Sequence, residues 1–265
     1  MSREEDRHIK LVLFDLDGTI YLSGRLISGA KKFLRYLTSR NIQYGFMTNN
    51  SSIGPMAYLR KLRGIGLDVS ISNIVTSAEA SCLMLQDFNV GSDIFILGTK
   101  ALKRYMACKG YRHRLKGAQA VLVGFDLELR YSSLCNAVRL IIGGKDYFST
   151  HPDVVCPSSE GALVDAGAIL AAIEAASGKK VKAIAGKPNK WIVKLACKKF
   201  GVNVKDIMIV GDRLETDIRM ANRYKMRSAL VLTGVTNEKE LRLSKYQPDI
   251  VVKSIGDKKL LEYEF

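Results

Sequence analysis

The chain has 265 residues, of which 47% are hydrophobic and 25% charged, and its formal net charge is +15. This length suffices for one large domain or two modest ones, each with a real hydrophobic core. Because no apolar run approaches the roughly 20 residues that cross a bilayer, the sequence argues against a membrane-spanning helix.

The excess of basic residues favours anionic partners: phosphorylated metabolites, nucleic acid or an anionic membrane surface. The 41 Lys and Arg residues are spread along the chain, with small clusters at 112–116 and 179–182 that no aromatic residues interleave. A generally basic, solvated surface is therefore the simpler interpretation, and neither a nucleic-acid nor a membrane partner is expected.

The numbers and spacing of cysteines and histidines argue against disulfides, a zinc site and histidine-based catalysis. The five cysteines are odd in number and include no Cys-x-x-Cys pair, which fits reduced thiols better than disulfides or a zinc site. Residues 1–7 are charged and no apolar signal region follows them, so we expect a cytoplasmic protein. With three histidines in the chain, carboxylates are the expected acid–base groups.

Apolar runs alternate with helical patterns and predict an α/β fold with a parallel sheet. Several runs are continuously apolar, as strands buried on both faces are. The predicted strands are 9–14, 42–47, 94–97, 120–123, 181–184, 207–210, 229–232 and 250–252. The predicted helices are 29–39, 55–63, 132–142, 168–176, 190–200 and 215–224. Ligands of such sheets bind beyond the carboxyl ends of the strands. The residues directly after each predicted strand are therefore the candidates for functional residues.

The first strand runs into Asp15-Leu16-Asp17-Gly18-Thr19. Two aspartates two residues apart at a strand end project the same way unless the chain bends between them. Together they suit a hard cation bound through oxygen, or one attacks an electrophile while the other handles a proton. A turn or a helix cap explains this motif equally well when it is taken alone.

The second predicted strand ends in Thr48, Asn49, Asn50 and Ser51. Short polar side chains and N–H groups at a strand-to-helix junction suit phosphate oxygens. Capping of the next helix needs the same residue types and is the more common reason for them.

Two later strand ends are also polar. Lys187 follows a strand and a glycine, where an ammonium can pair with a carboxylate and a phosphoryl oxygen, although an exposed loop lysine is commoner. Asp212 and Asp217 follow the strand 207–210 and can both reach a cation, or else favour the positive end of the next helix.

Four predicted strands are thus followed, in chain order, by polar motifs. These motifs are Asp-x-Asp-Gly-Thr, Thr-Asn-Asn, Gly-Lys-Pro and Gly-Asp-x-x-x-x-Asp. This set resembles the haloacid dehalogenase superfamily motif by motif, over the whole chain. The Thr-Asn-Asn-Ser form and the segments 150–153 and 165–167 resemble the branch typified by the NagD and p-nitrophenyl phosphatase proteins. The resemblance implies a Rossmann-like parallel sheet core at 1–80 and 183–265, with an inserted α/β cap domain at 81–182.

The resemblance also implies roles for the aspartates. Asp15 would attack the substrate phosphorus and form an aspartyl-phosphate, while Asp17 would protonate the leaving oxygen and later activate water. Mg²⁺ would be bound by Asp15, the backbone carbonyl of Asp17 and Asp212. Asp217 would support these ligands from further out.

The remaining implied contacts are with the phosphoryl group. Thr48, the Asn49 amide and Lys187 would hold its oxygens and offset their charge. Core residues of this kind bind the part common to all phosphate esters, so selection among esters must come from elsewhere.

The segment 151–161 in the implied cap is irregular by composition, with prolines, a glycine and mixed polar groups. Loops of this kind on a rigid scaffold often carry recognition, which makes His151, Asp153 and Cys156 candidate contacts to the leaving group. A plain surface connection is the alternative interpretation.

The expected function is hydrolysis of a small phosphorylated metabolite such as a sugar phosphate, a nucleotide or glycerol phosphate. Asp17 favours a phosphatase over a dehalogenase, because an alkoxide needs a proton to leave and a halide does not. A phosphomutase or phosphotransferase on the same scaffold is the second hypothesis, and a non-enzymatic nucleic-acid-binding protein is the third. The substrate and the oligomeric state stay open, with a homodimer as one option.

Overall fold

The computed structural model of the chain describes residues 8–158 and 160–263, so the charged segment 1–7 lies outside it. The chain divides into two compact units. Unit 1 is Met1–Met47, Leu59–Val75 and Ala196–Phe265, and unit 2 is Thr48–Tyr58 and Thr76–Leu195. The expected core and cap boundaries, at 80/81 and 182/183, stay a prediction.

The described residues form strands and helices that alternate along most of the chain. The strands are β1 Leu11–Phe14, β2 Tyr21–Leu22, β3 Arg25–Leu26, β4 Gln43–Thr48, β5 Ile74–Thr76, β6 Asp93–Leu97, β7 Arg112–His113, β8 Ala120–Val123, β9 Asp146–Ser149, β10 Val155–Ser158, β11 Gly161–Val164, β12 Ala183–Ile184, β13 Ile207–Gly211, β14 Arg227–Val231 and β15 Ile250–Val252. The helices are α1 Ala30–Ser39, α2 Pro55–Gly64, α3 Ser77–Asp87, α4 Lys100–Cys108, α5 Tyr131–Ile142, α6 Ala166–Ser177, α7 Lys190–Phe200, α8 Arg219–Tyr224, α9 Glu238–Leu243 and α10 Lys258–Leu261.

Unit 1 is built on a sheet with the strand order β15-β14-β13-β1-β4-β5. Strand β1 pairs in parallel with both β13 and β4, so it lies in the middle of the sheet. Every residue of β1 and β13 is buried, as a continuously apolar parallel strand requires. Phe14 of β1 also packs edge-on against Phe33 of α1, with ring centres 5.9 Å apart.

Unit 2 has its own parallel sheet with the strand order β12-β9-β8-β6-β7. Helices α5 and α6 pack on it through one buried apolar cluster, which includes Val121, Ala137, Tyr147, Ile169 and Ile173. Strands β6, β8 and β9 pair in parallel register, so their carboxyl ends also share one edge. The predicted α/β class with parallel sheets is confirmed.

One local prediction is wrong, and one predicted helix is present but differs in type over its first turn. The segment 151–161, expected to be irregular, contains β10 and the start of β11, which pair as an antiparallel hairpin with Val155 opposite Val164. Pro157 fits there because both strands of a two-stranded hairpin are edges. The helix predicted at 215–224 begins as a π-helical turn at Leu214–Ile218 and becomes α-helical in α8.

Among the helices that the structure describes, none is long and apolar enough to cross a membrane. In the part of the chain that the structure describes, no disulfide links any of the five cysteines.

Candidate active site

The predicted site residues fall into two sets, each inside one unit. Unit 1 carries the aspartates predicted for attack, proton transfer and metal binding: Asp15, Asp17, Asp212 and Asp217. Unit 2 carries the residues predicted for phosphoryl binding and substrate selection: Thr48, Asn49, Lys187, His151, Asp153 and Cys156.

Asp15 and Asp212 leave the sheet of unit 1 at the same edge. Asp15 directly follows β1, and its N–H donates to the carbonyl of Val210 in β13 at 2.9 Å. Strands β1 and β13 pair in parallel with Phe14 opposite Val210, which places Asp212 just beyond the level of Asp15. The two aspartates therefore follow adjacent strands at the edge where the sequence predicts a site.

Two glycines make room for the Asp212 carboxylate. A Cβ on Gly18 would lie 2.7 Å from Oδ2 of Asp212, and a Cβ on Gly234 would overlap the same atom. Gly18 also has φ +84°, a conformation that L side chains rarely adopt. The N–H of Val235 donates to Oδ2 at 2.7 Å, so the buried carboxylate is fixed against the backbone beside Asp17.

The groups that converge here are oxygen donors of the kind that Mg²⁺ prefers. They are the carboxylates of Asp15 and Asp212 and the backbone next to Gly18, with neither histidine nor cysteine in the motifs that supply them. Gly18 and Gly234, here called the glycine cradle, leave room for the Asp212 carboxylate, which the Val235 N–H holds in place. These residues therefore fit a hard divalent ion.

Asp217 lies behind this edge. It is fully buried in the π-helical turn, and its Oδ2 accepts the N–H of Arg213 at 3.2 Å. A Cβ on Gly211 would overlap its carboxylate, so Gly211 allows the side chain to lie against the end of β13. This placement suits a residue that supports Asp212.

The Asp17 carboxylate has two neighbours that no sequence motif indicates. The hydroxyl of Tyr21 donates to Oδ2 at 2.9 Å, and Lys61 Nζ lies 3.9 Å from Oδ1. Lys61 Nζ also lies 3.9 Å from the centre of the Tyr21 ring. The turn that follows Gly18 returns Tyr21 to Asp17, because the Gly18 N–H donates to the Tyr21 carbonyl at 2.8 Å. Spacing by four residues outside a helix gives no signal of this contact.

In unit 2 the Asn49 side chain clamps the backbone of Lys187. Asn49 Oδ1 accepts the Lys187 N–H at 2.7 Å, and Asn49 Nδ2 donates to the Lys187 carbonyl at 3.1 Å. Thr48 is buried at the end of β4, and its Oγ1 accepts the Asn50 N–H at 3.2 Å. The clamp joins two motifs that lie far apart in sequence.

The three residues predicted for substrate selection differ in their surroundings. His151 is fully buried, with Nδ1 2.8 Å from Thr150 Oγ1 and Nε2 2.8 Å from Asp165 Oδ1. Asp153 is half-buried and accepts from Asn49 Nδ2 at 3.3 Å. Cys156 is half-buried on β10.

His151, Asp153 and Asp165 each bring one ligand-type atom within 4.8 Å of the others. This group is not the predicted metal site. Its histidine and Asp165 are already hydrogen-bonded to each other, and Asp165 Oδ1 also accepts the Ala166 N–H at 2.6 Å as the N-cap of α6. His151 and Asp165 are thus joined by an internal hydrogen bond, whereas Asp153 accepts from Asn49.

Comparison with known proteins decides the family. The family model described as haloacid dehalogenase-like hydrolase matches residues 12–112, and the one described as HAD-hydrolase-like matches residues 184–258. The sugar-phosphatase AraL of Bacillus subtilis is 31% identical over 248 residues, which cover 93% of this chain and 90% of the relative. The chain belongs to the haloacid dehalogenase-like hydrolases.

Solved structures of this family refine the assignment. The 4-nitrophenylphosphatase of Thermotoga maritima superimposes with a TM-score of 0.92 at 41% identity, over 97% of this chain and 98% of that one. NagD of E. coli K-12 superimposes with a TM-score of 0.86 at 26% identity, over 94% and 98%. The chain is a phosphatase of the NagD and p-nitrophenyl phosphatase branch, which confirms the resemblance.

Proposed function

We propose that this phosphatase hydrolyses phosphate monoesters of small metabolites, with sugar phosphates as the leading class, through an aspartyl-phosphate on Asp15 and with Mg²⁺. The observation that carries the proposal is that Asp15 and Asp212 follow paired strands at one edge of the sheet, where Gly18 lies against the Asp212 carboxylate. The similarity to a sugar phosphatase supports the substrate class. A nucleotide or glycerol phosphate is the alternative, and a cytoplasmic location and a homodimer stay predictions from the sequence.

The chemistry follows from the aspartates. A carboxylate oxygen of Asp15 forms a bond to phosphorus while the ester oxygen leaves and takes a proton from Asp17. Asp17, now ionised, takes a proton from water, whose oxygen attacks the phosphoryl group and releases inorganic phosphate from Asp15. When bound by Asp15, the Asp17 carbonyl and Asp212, Mg²⁺ supplies positive charge beside the phosphoryl oxygens.

Thr48, Asn49 and Lys187 are proposed to bind the phosphoryl oxygens. Because the Asn49 side chain is engaged with Lys187, its backbone N–H is the amide we assign to this contact. The Lys187 ammonium offsets charge that develops on the oxygens as the ester bond breaks. Asp153 and Cys156 stay proposals for contacts to the leaving group.

A panel of phosphate esters, assayed for free phosphate, tests the function directly. We expect stoichiometric phosphate from sugar phosphates, loss of turnover in excess EDTA, and recovery when Mg²⁺ is restored. Ca²⁺ should inhibit, because it accepts looser and higher coordination than Mg²⁺. Full turnover in excess EDTA would refute the metal, and an isomerised product without free phosphate would indicate a mutase.

The glycine cradle predicts a second result. A methyl group at Gly234 overlaps the Asp212 carboxylate, so Gly234→Ala should raise the Mg²⁺ concentration for half-maximal activity by about 10- to 100-fold. Gly64→Ala is the matched control, because Gly64 is exposed and its added Cβ would meet no atom within 4 Å. An unchanged Mg²⁺ requirement in Gly234→Ala would remove Asp212 from the metal site.

A further inference from the structure

His151 and Asp165 form a buried, hydrogen-bonded pair, and its partners argue against a direct contact with the substrate. Both residues are almost fully buried, and His151 Nε2 lies 2.8 Å from Asp165 Oδ1. Asp165 caps α6, so the pair anchors the histidine ring to the start of that helix. Both ring nitrogens have partners inside unit 2, which leaves neither for a leaving group.

Thr150 connects this pair to the polar segment after β4. Its Oγ1 lies 2.8 Å from His151 Nδ1 and 3.0 Å from Ser51 Oγ, and Ser51 Oγ accepts the Phe125 N–H at 3.0 Å. The chain of contacts therefore runs from α6 to the residues that follow Asn49. Buried and fully bonded networks of this kind hold one arrangement of their members.

The turn that carries Lys187 rests on the same residues. The Gly186 N–H donates to the Thr150 carbonyl at 2.7 Å, and a Cβ on Gly186 would lie 2.8 Å from that oxygen and 3.1 Å from His151 Cβ. The same Cβ would overlap Asn49 Oδ1, the atom that accepts the Lys187 N–H. Because the Thr150–His151 backbone contacts Gly186 so closely, any shift of that backbone would also move the turn that carries Lys187.

We propose that His151 and Asp165, acting through Thr150, are positioning residues for Lys187 rather than contacts to the leaving group. The inference rests on the proposed role of Lys187 at the phosphoryl group. Since every substrate shares that group, the network affects all esters alike. A small misplacement of such a charge costs transition-state stabilisation more than substrate binding, and a shift of about 1 Å can cost about 100-fold in rate.

The test uses Thr150→Val, which removes the linking hydroxyl at nearly constant volume, because His151→Ala leaves a cavity and can prevent folding. We expect kcat to fall by about 10- to 100-fold with KM changed by less than about threefold, equally for p-nitrophenyl phosphate and a sugar phosphate. Thr150→Ser keeps the hydroxyl and should recover most of the lost rate.

Inhibition by vanadate separates positioning from a loss of folded enzyme. Vanadate adopts the five-coordinate geometry of the transition state, so its inhibition constant should rise in Thr150→Val in proportion to the fall in kcat/KM. A smaller fraction of folded enzyme would lower kcat and leave that constant unchanged, which would overturn the proposal. Losses that differ more than tenfold between the two esters would also overturn it and return His151 to substrate selection.

The controls keep this inference distinct from the proposed function. If the wild-type protein releases no phosphate, the proposed function fails. If the wild type is active, Asp15→Asn is inactive, and Thr150→Val matches the wild type in kcat and in vanadate inhibition, the positioning role alone fails.

Discussion

Asp15→Asn is expected to reduce phosphate release to less than about one hundredth of the wild-type rate, for every ester tested. An amide is neither a nucleophile toward phosphorus nor an anionic ligand for Mg²⁺, so the change removes two functions together. The substitution is nearly isosteric, and the backbone N–H of residue 15 can still donate to Val210. The fold should therefore survive, which circular dichroism and the melting temperature would check.

Asp68→Asn is the matched control for Asp15→Asn. Asp68 is an exposed aspartate of unit 1, and its carbonyl accepts the hydroxyl of Tyr44 near the start of β4, whereas the site lies at the carboxyl ends of the strands. We expect wild-type turnover from it. Residual activity above about one hundredth in a well-folded Asp15→Asn protein would contradict covalent catalysis by this residue.

Asp17→Asn is expected to slow hydrolysis of sugar phosphates by about 100- to 10,000-fold, the usual range for loss of a general acid–base group. Formation of the aspartyl-phosphate from p-nitrophenyl phosphate should be much less affected, because p-nitrophenolate leaves without a proton. The requirement for Mg²⁺ should not change, since the proposed metal contact of Asp17 is its backbone carbonyl.

The surroundings of Asp17 indicate that the Asp17→Asn protein should fold. Its carboxylate receives the Tyr21 hydroxyl and is 53% exposed, so an amide can take its place without burying an unpaired group. If the first turnover with p-nitrophenyl phosphate slows as much as hydrolysis of the sugar phosphate, Asp17 is not the leaving-group acid. A large increase in the Mg²⁺ requirement would instead place its carboxylate on the metal.

The edge that carries Asp15 and Asp212 could be predicted because local sequence determines it. Continuously apolar runs identify the buried parallel strands, and polar residues at their carboxyl ends mark the site whatever the connections between strands are. The register of β1 with β13 then places the two aspartates at the ends of adjacent strands.

The supports of these residues could not be predicted, because they depend on contacts between distant parts of the chain. Asn49 clamps the backbone of a residue 138 positions away. Gly234 leaves room for the Asp212 carboxylate, and no local pattern distinguishes it from an ordinary turn glycine. Tyr21 reaches Asp17 through a turn whose geometry the side-chain pattern does not encode.

The segment 151–161 shows how composition misleads. Prolines, a glycine and polar residues predicted an irregular segment, but Val155–Ser158 pairs with Gly161–Val164 as β10 and β11. His151 precedes the hairpin and is fully buried, because Asp165 and Thr150 satisfy both of its nitrogens. A polar side chain is buried only where hydrogen-bond partners are available. For His151 one of these partners, Asp165, lies 14 residues further along the chain.

Trapping the phosphorylated enzyme tests the central claim most directly. The Asp17→Asn protein, mixed with p-nitrophenyl phosphate and Mg²⁺ and quenched in acid, should release a burst of one p-nitrophenolate per active site. Peptide mass spectrometry should then find one phosphoryl group on Asp15. A burst with the phosphoryl group on another residue, or phosphate release with no phosphorylated peptide at any time, would contradict the proposal that Asp15 is the nucleophile.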